Sequence, residues 1–209
     1  PLLNECRDAV ADWMHDVSVG NPSSLHGAGR AQRALLEEAR IQVARSIDTG
    51  VSSIVFTSGA SESLFLALHA TLDPLFLAGK KPRVLTHFGL HESLAKRLVE
   101  WSDQGRIELE TVELNMSGMW VDEGWRAASS REHDMICLSL AQHETGVLFP
   151  AGKIREMFPN TPLLLDGVQA YGKVPLSCGQ LKPEWLVLSG HKVGGLPGVG
   201  VLVIGEHAP

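Results

Sequence analysis

Apolar positions along this chain fall into two patterns, stripes at helical spacing and short unbroken runs, and the two alternate through the sequence. Arg30 to Ile47 carries Ala34, Leu35, Ala39 and Val43 on one stripe, with Glu37, Glu38, Arg40 and Arg45 off it. That spacing predicts an amphipathic helix burying the stripe. Ser53 to Thr57 predicts a strand, and Ser58-Gly59-Ala60 turns it into a helix containing Leu64, Leu66, Ala67 and Leu68. A strand over Arg83 to Thr86 precedes a helix over His91 to Trp101. A strand near Ile107 to Leu114 leads through Asn115-Met116-Ser117-Gly118 to a polar helix near Glu123 to Ser129. Asp134 to Leu140 reads as a buried strand, Ile154 to Phe158 as a short helix, and Pro162 to Leu165 and Glu184 to Leu188 as two further strands. After a Gly-rich segment, Val199 to Ile204 is expected as an edge strand, with antiparallel pairing allowed. Strands alternating with helices imply parallel βαβ units, hence an α/β fold with a mostly parallel sheet flanked by helices.

The termini read differently. Glu5 to Met14 predicts an amphipathic helix whose apolar face has no evident partner nearby. With no initiator Met and an abrupt start at Pro1, the sequence reads as a piece of a longer chain. Neither a repeat nor a linker divides residues 1–209, so a single domain is expected.

At 209 residues, 44% hydrophobic and 20% charged, the chain can bury a sizeable core. A net charge of -6, with 18 Lys+Arg spread along the sequence, leaves no basic stripe and argues against nucleic acid or anionic membrane as partner. No apolar run approaches the roughly 18–20 residues of a membrane span, and the N-terminus lacks a signal-peptide pattern, so the cytoplasm is expected. The three cysteines are widely spaced. Cys137 sits in an apolar run as a core hydrophobe, and Cys178 follows a Pro-containing turn and is expected at the surface. Neither they nor Cys6 have neighbours that would favour a thiolate nucleophile. The nine histidines show no metal-ligand spacing.

Polar residues gather where apolar runs end. Trp185-Leu186-Val187-Leu188 gives way to Ser189-Gly190-His191-Lys192, and a lysine at the mouth of a buried strand, poorly hydrated, is a candidate Schiff-base nucleophile. Leu163-Leu164-Leu165 ends in Asp166, with Gln169 just beyond. A lysine to hold an aldehyde and a carboxylate to keep a pyridine nitrogen protonated are what pyridoxal phosphate requires. The turn Ser58-Gly59-Ala60-Ser61-Glu62 reads either as a phosphate-binding helix start or as an ordinary N-cap. Ser189 and His191 are available as further phosphate donors. His91 reads either as a ring stacked on a cofactor or as a polar helix-start residue, and His26 and His143 carry the same two readings.

Five motifs stand in one order: Asn21-Pro22-Ser23-Ser24 with His26, Phe56 to Ser63, Glu144-Thr145-Gly146-Val147, Asp166 to Ala170 with Gly172-Lys173, and Ser189 to Lys192. Over nearly the whole chain they resemble the cysteine desulfurases, in the class V aminotransferase group of pyridoxal-phosphate enzymes. The resemblance implies the large domain of an aspartate aminotransferase-like fold. Lys192 would hold the cofactor and shuttle protons, with His91 as the second catalytic residue, stacked on the ring. Asp166 would pair with the pyridine nitrogen and Gln169 would touch the ring oxygen. Ala60, Ser61, Ser189 and His191 would hold the phosphate.

This chain departs from the family at Gln142-His143, where His143 stands by the ring in place of an asparagine, at Ser61 for a threonine, and at Gly195-Leu196-Pro197-Gly198 for Gly-Pro-Lys-Gly. The resemblance further implies a homodimer that takes sulfur from L-cysteine, leaving alanine and an enzyme persulfide, with a sulfur-acceptor protein downstream. The persulfide cysteine and a carboxylate-binding arginine belong to a smaller domain absent from this sequence, against which residues 1–15 would pack. Another class V aminotransferase or lyase, and a catalytically incomplete scaffold, are the alternatives.

Overall fold

The computed structural model describes residues 2–15, 20–116 and 118–209, so Pro1 and the Ser117 of the expected turn lie outside the described residues. Seven strands make one sheet: β1 (Ile54–Thr57), β2 (Arg83–His87), β3 (Glu108–Val112), β4 (Met135–Ser139), β5 (Leu163–Asp166), β6 (Trp185–Ser189) and β7 (Gly200–Ile204). Their order is β1-β7-β6-β5-β4-β2-β3. From β3 to β6 every pairing is parallel, whereas β7 runs antiparallel to both β6 and β1. Among the described residues seven α-helices accompany the sheet: α1 (Asn4–His15), α2 (Gly27–Ser46), α3 (Ala60–Leu77), α4 (Glu92–Asp103), α5 (Asp122–Ala128), α6 (Ala151–Met157) and α7 (Cys178–Leu181).

The apolar runs are unbroken because the central strands are covered on both faces. Met135, Cys137, Leu164 and Val187 point to one layer, with Leu64 and Leu68 of α3 and Leu94, Leu98 and Trp101 of α4. Ile136, Leu138, Leu163, Leu165 and Leu186 point to the other, with Trp125 of α5, Ile154 of α6 and Ile47 after α2. Each such side chain contributes about 1.5–3 kcal/mol by leaving water.

Four expectations from the sequence change here. Residues 199–204 do not form an edge strand: β7 lies between β1 and β6, with Val201, Leu202 and Val203 all buried, and β1 and β3 hold the edges. The helix begins at Gly27 rather than Arg30, and Ala34, Leu35 and Ala39 are exposed, Leu35 by 56%. Only its C-terminal part reaches the core, through Val43, Ala44 and the following Ile47. Cys178 is buried rather than exposed, because it opens α7 and its N–H donates to the Ile47 carbonyl at 2.8 Å. The four-residue α7 carries too little periodicity to be read in advance. As expected, α1 is a helix with little cover: it buries no residue, and its ties include Leu3 N–H to the Gly194 carbonyl at 2.9 Å and Trp13 Nε1 to Gln32 Oε1 at 2.8 Å.

Candidate functional site

After β2 the chain moves outward to β3, then crosses back to place β4 on the other side of β2. Crevices outside the carboxyl ends of strands at such a reversal are where open α/β sheets bind ligands. The two strands also part company there, since their paired register stops at Leu85↔Ile136. A cavity of about 380 Å³ opens at this end of the sheet. It draws Ser58, Ala60, Ser61 and Glu62 from the β1–α3 turn, Gly89, His91 and Ser93 from the β2–α4 connection, and Ser139, Ala141 and His143 from the end of β4. Asp166 comes from the end of β5, Val168 and Gln169 from the turn after it, and His191, Lys192, Pro197 and Gly198 from the β6–β7 connection.

Asp166 is 7% exposed and its Oδ1 accepts the Val168 N–H at 3.0 Å. Burial pushes its pKa above the ordinary value, while the Val168 amide and the nearby His91 and His143 pull it partly back. His91 caps α4 through Nδ1, which lies 2.9 Å from Ser93 Oγ, and its ring centroid is 5.4 Å from that of His143. The Glu62 carboxylate accepts the Ser58 N–H at 2.6 Å, which holds its pKa below the ordinary value and fixes the turn leading into α3. That helix presents its free N-terminal amides at the cavity. Ser189 stands outside the lining; it is buried, and its Oγ lies 2.8 Å from His191 Nδ1, so it orients the imidazole. Gln169 Oε1 accepts from Lys173 Nζ at 2.7 Å.

Lys192 sits in a 3₁₀ turn, Gly190–Val193, and is exposed rather than dehydrated by the chain's own walls. Gln142 and His26 also stand outside the lining. The Gln142 Oε1 accepts the Glu144 and Thr145 amides of its own loop, each at 2.6 Å, and His26 caps α2. Among the described residues no cluster of three or more His, Cys, Asp or Glu is placed to hold a metal ion, and no helix is long and apolar enough to cross a membrane. Gly89, Ser93 and Ala141 line the cavity without having been singled out, because no motif or run end marks them in the sequence.

The chain matches the aminotransferase class-V family over residues 3–208. It belongs to that family. Members of the class-V aminotransferase family use pyridoxal phosphate. A cysteine desulfurase of Cereibacter sphaeroides is 33% identical over 213 residues, covering 100% of this chain and 54% of the relative. A selenocysteine lyase of Xenopus tropicalis is 28% identical, covering 100% of this chain and 54% of the relative. Among solved structures, a NifS-like protein superposes with a TM-score of 0.91 at 24% identity, over 100% of this chain and 57% of that one, a likeness of fold. This class-V chain thus spans about half the length of the curated relatives it matches.

Proposed function

We propose that this chain is the cofactor-binding domain of a pyridoxal phosphate enzyme that takes sulfur from L-cysteine. Asp166 carries the reading. It is a buried carboxylate whose electrostatic neighbours are two imidazoles, and among the described residues it enters no salt bridge. Such a group suits a cationic ring nitrogen, which would supply the counter-charge its burial lacks. The other lining residues fit the rest of the cofactor. Lys192 Nζ would hold the aldehyde end, the amides of Ala60 and Ser61 at the start of α3 would meet the phosphate, and His191, oriented by Ser189, would add a donor. His91 would cover one side of the ring, with His143 and Gln169 available at its edge.

Bound there, pyridoxal phosphate supplies an electron sink that loosens bonds at the α-carbon of an amino acid. Lys192 then carries the proton at that carbon. In the complete enzyme a cysteine thiolate would attack the substrate sulfur, forming the persulfide S–S bond as the carbon–sulfur bond breaks, and the carbon that keeps the electron pair would take a proton to give alanine. Cys137 and Cys178 are unsuited to that attack, since burial pushes both thiols up, Cys178 to about 11. The resemblance to the cysteine desulfurases implies that the accepting thiol and the substrate-carboxylate arginine lie in the part of the relatives that this chain does not match. The family resemblance supports a cytoplasmic homodimer that passes sulfur to an acceptor protein. Selenocysteine is the second substrate to offer, given the lyase among the relatives.

The test is covalent capture. Incubation with pyridoxal phosphate, borohydride reduction and peptide mapping should label Lys192, and Lys192→Ala should abolish the label. A label that persists in Lys192→Ala, or that sits on another lysine in the parent, would sink the assignment.

A further inference from the structure

His87 closes β2 as an imidazole only 1% exposed, outside the cavity lining yet in contact with two of the segments that build it, the β2–α4 connection and the end of β4. Beyond Leu85↔Ile136, where the β2–β4 ladder ends, side chains take over from backbone. Thr86 Oγ1 donates to the Cys137 carbonyl at 3.0 Å, and the Ser139 N–H donates to His87 Nε2 at 3.2 Å. The Gly89 N–H addresses the other ring nitrogen, Nδ1, at 3.0 Å. The ring lies against Phe149 with centroids 4.2 Å apart, and the Phe149 N–H, donating to the Leu140 carbonyl at 3.0 Å, closes the loop that carries His143. A Cβ on Gly89 would come within 3.0 Å of both His87 and Phe149 atoms, so the three groups are nested.

We propose that His87 is a positioning residue of this site, bridging the parted ends of β2 and β4 and so setting the spacing of His91 and His143 across the cavity. The proposal rests on reading the cavity as the pyridoxal phosphate site. Strands that separate leave amides without ladder partners, and an imidazole offers nitrogens at opposite sides of one rigid ring. A neutral ring accepts at one nitrogen, for which the two amides compete; a protonated ring would oppose both. Burial lowers the His87 pKa from 6.5 to about 4, and the groups facing the ring, Gly89, Ser139 and Phe149, carry no charge. The bridge is therefore neutral under physiological conditions.

Three substitutions separate bridging from bulk. His87→Phe keeps a ring against Phe149 and removes the acceptor, His87→Asn keeps an oxygen near the Nδ1 position, and His87→Gln extends one toward Ser139. Nitrogen-15 NMR of the chain reads the Gly89 and Ser139 amides and the His91 and His143 rings, and absorbance titration gives the pyridoxal phosphate affinity. The His87 ring should titrate near pH 4. His87→Phe should displace the His91 and His143 ring signals and weaken cofactor binding about tenfold, and His87→Gln, whose oxygen reaches toward Ser139, should recover part of each loss. Unmoved His91 and His143 signals in a folded His87→Phe overturn the proposal, as does binding within about twofold of the parent in all three variants. A parent that binds no cofactor defeats the functional reading, and the NMR comparison still decides the bridge. Should His87→Phe not fold, His87→Asn, whose oxygen does not reach the Ser139 amide, decides it: unmoved His91 and His143 signals there overturn the proposal.

Discussion

Asp166 is held at a cost to the fold. Because burial raises its folded pKa above the ordinary 3.8, the folded state holds the proton more tightly than the unfolded chain does. Its contribution to stability is therefore complete below pH 3.8 and is lost as pH rises through the raised folded value. Asp166→Asn keeps an oxygen for the Val168 amide and cannot ionise. It should raise the melting temperature at pH 7 and leave it unchanged below 3.8, while weakening pyridoxal phosphate binding at least about tenfold. Calorimetry at the two pH values checks the sign, and a lower melting temperature at pH 7 would contradict it. Asp166 and Lys192 are legible in the sequence because each interrupts the end of an unbroken apolar run. His87 is not, since Arg83-Val84-Leu85-Thr86-His87 contains nothing to say that its neighbour strand departs beyond Leu85. Ser189 shows the converse limit: a strand's last residue points into the core or out of it according to pleat, and here its hydroxyl reaches His191 while the side chain stays buried.

At the scale of elements, the β1–α3 turn depends on a strand distant in sequence. A Cβ on Gly200, the first residue of β7, would stand 2.5 Å from the Gly59 carbonyl carbon and 2.6 Å from Thr57 Oγ1. Thr57 Oγ1 is itself 2.8 Å from Ser63 Oγ, so the clash would be passed into the first turn of α3. Gly200→Ala should cost about 1–3 kcal/mol in urea unfolding and weaken cofactor binding. Gly152→Ala in α6, where a Cβ meets nothing within 4 Å, should be neutral or stabilising by up to about 1 kcal/mol. Equal losses in the two variants would remove the argument. The strands are legible from apolar runs, and the helices from their stripes, because those patterns report burial directly. Which face of α2 is buried is not, since a helix that overhangs the sheet edge buries only one end of its stripe. Nor is the place of β7: an apolar run announces two covered faces without saying which strands pair on its flanks.

For the whole molecule, protection should follow the sheet rather than the chain. All five residues of β4 and of β6, and all four of β5, are buried between the two helical layers, whereas α1 buries none. Amide exchange should accordingly be slowest in β4, β5 and β6 and fastest in α1, with β3 at the sheet edge between them. Mass-spectrometric exchange checks this, and an α1 as protected as β5 would show that the helix is covered by a partner in solution.

The antiparallel return of β7 also sets an order of assembly. β1 has no direct partner in the parallel block; its register, Ile54↔Val203 through Thr57↔Gly200, is made wholly with the strand that comes last. During synthesis the turn at Ser58–Ser61 must wait, its strand unpaired, until residues 200–204 leave the ribosome and slot between β1 and β6. The β1–α3 end of the cavity is thus completed only once residues 200–204 are in place, and a nascent chain cannot hold a ligand there before then.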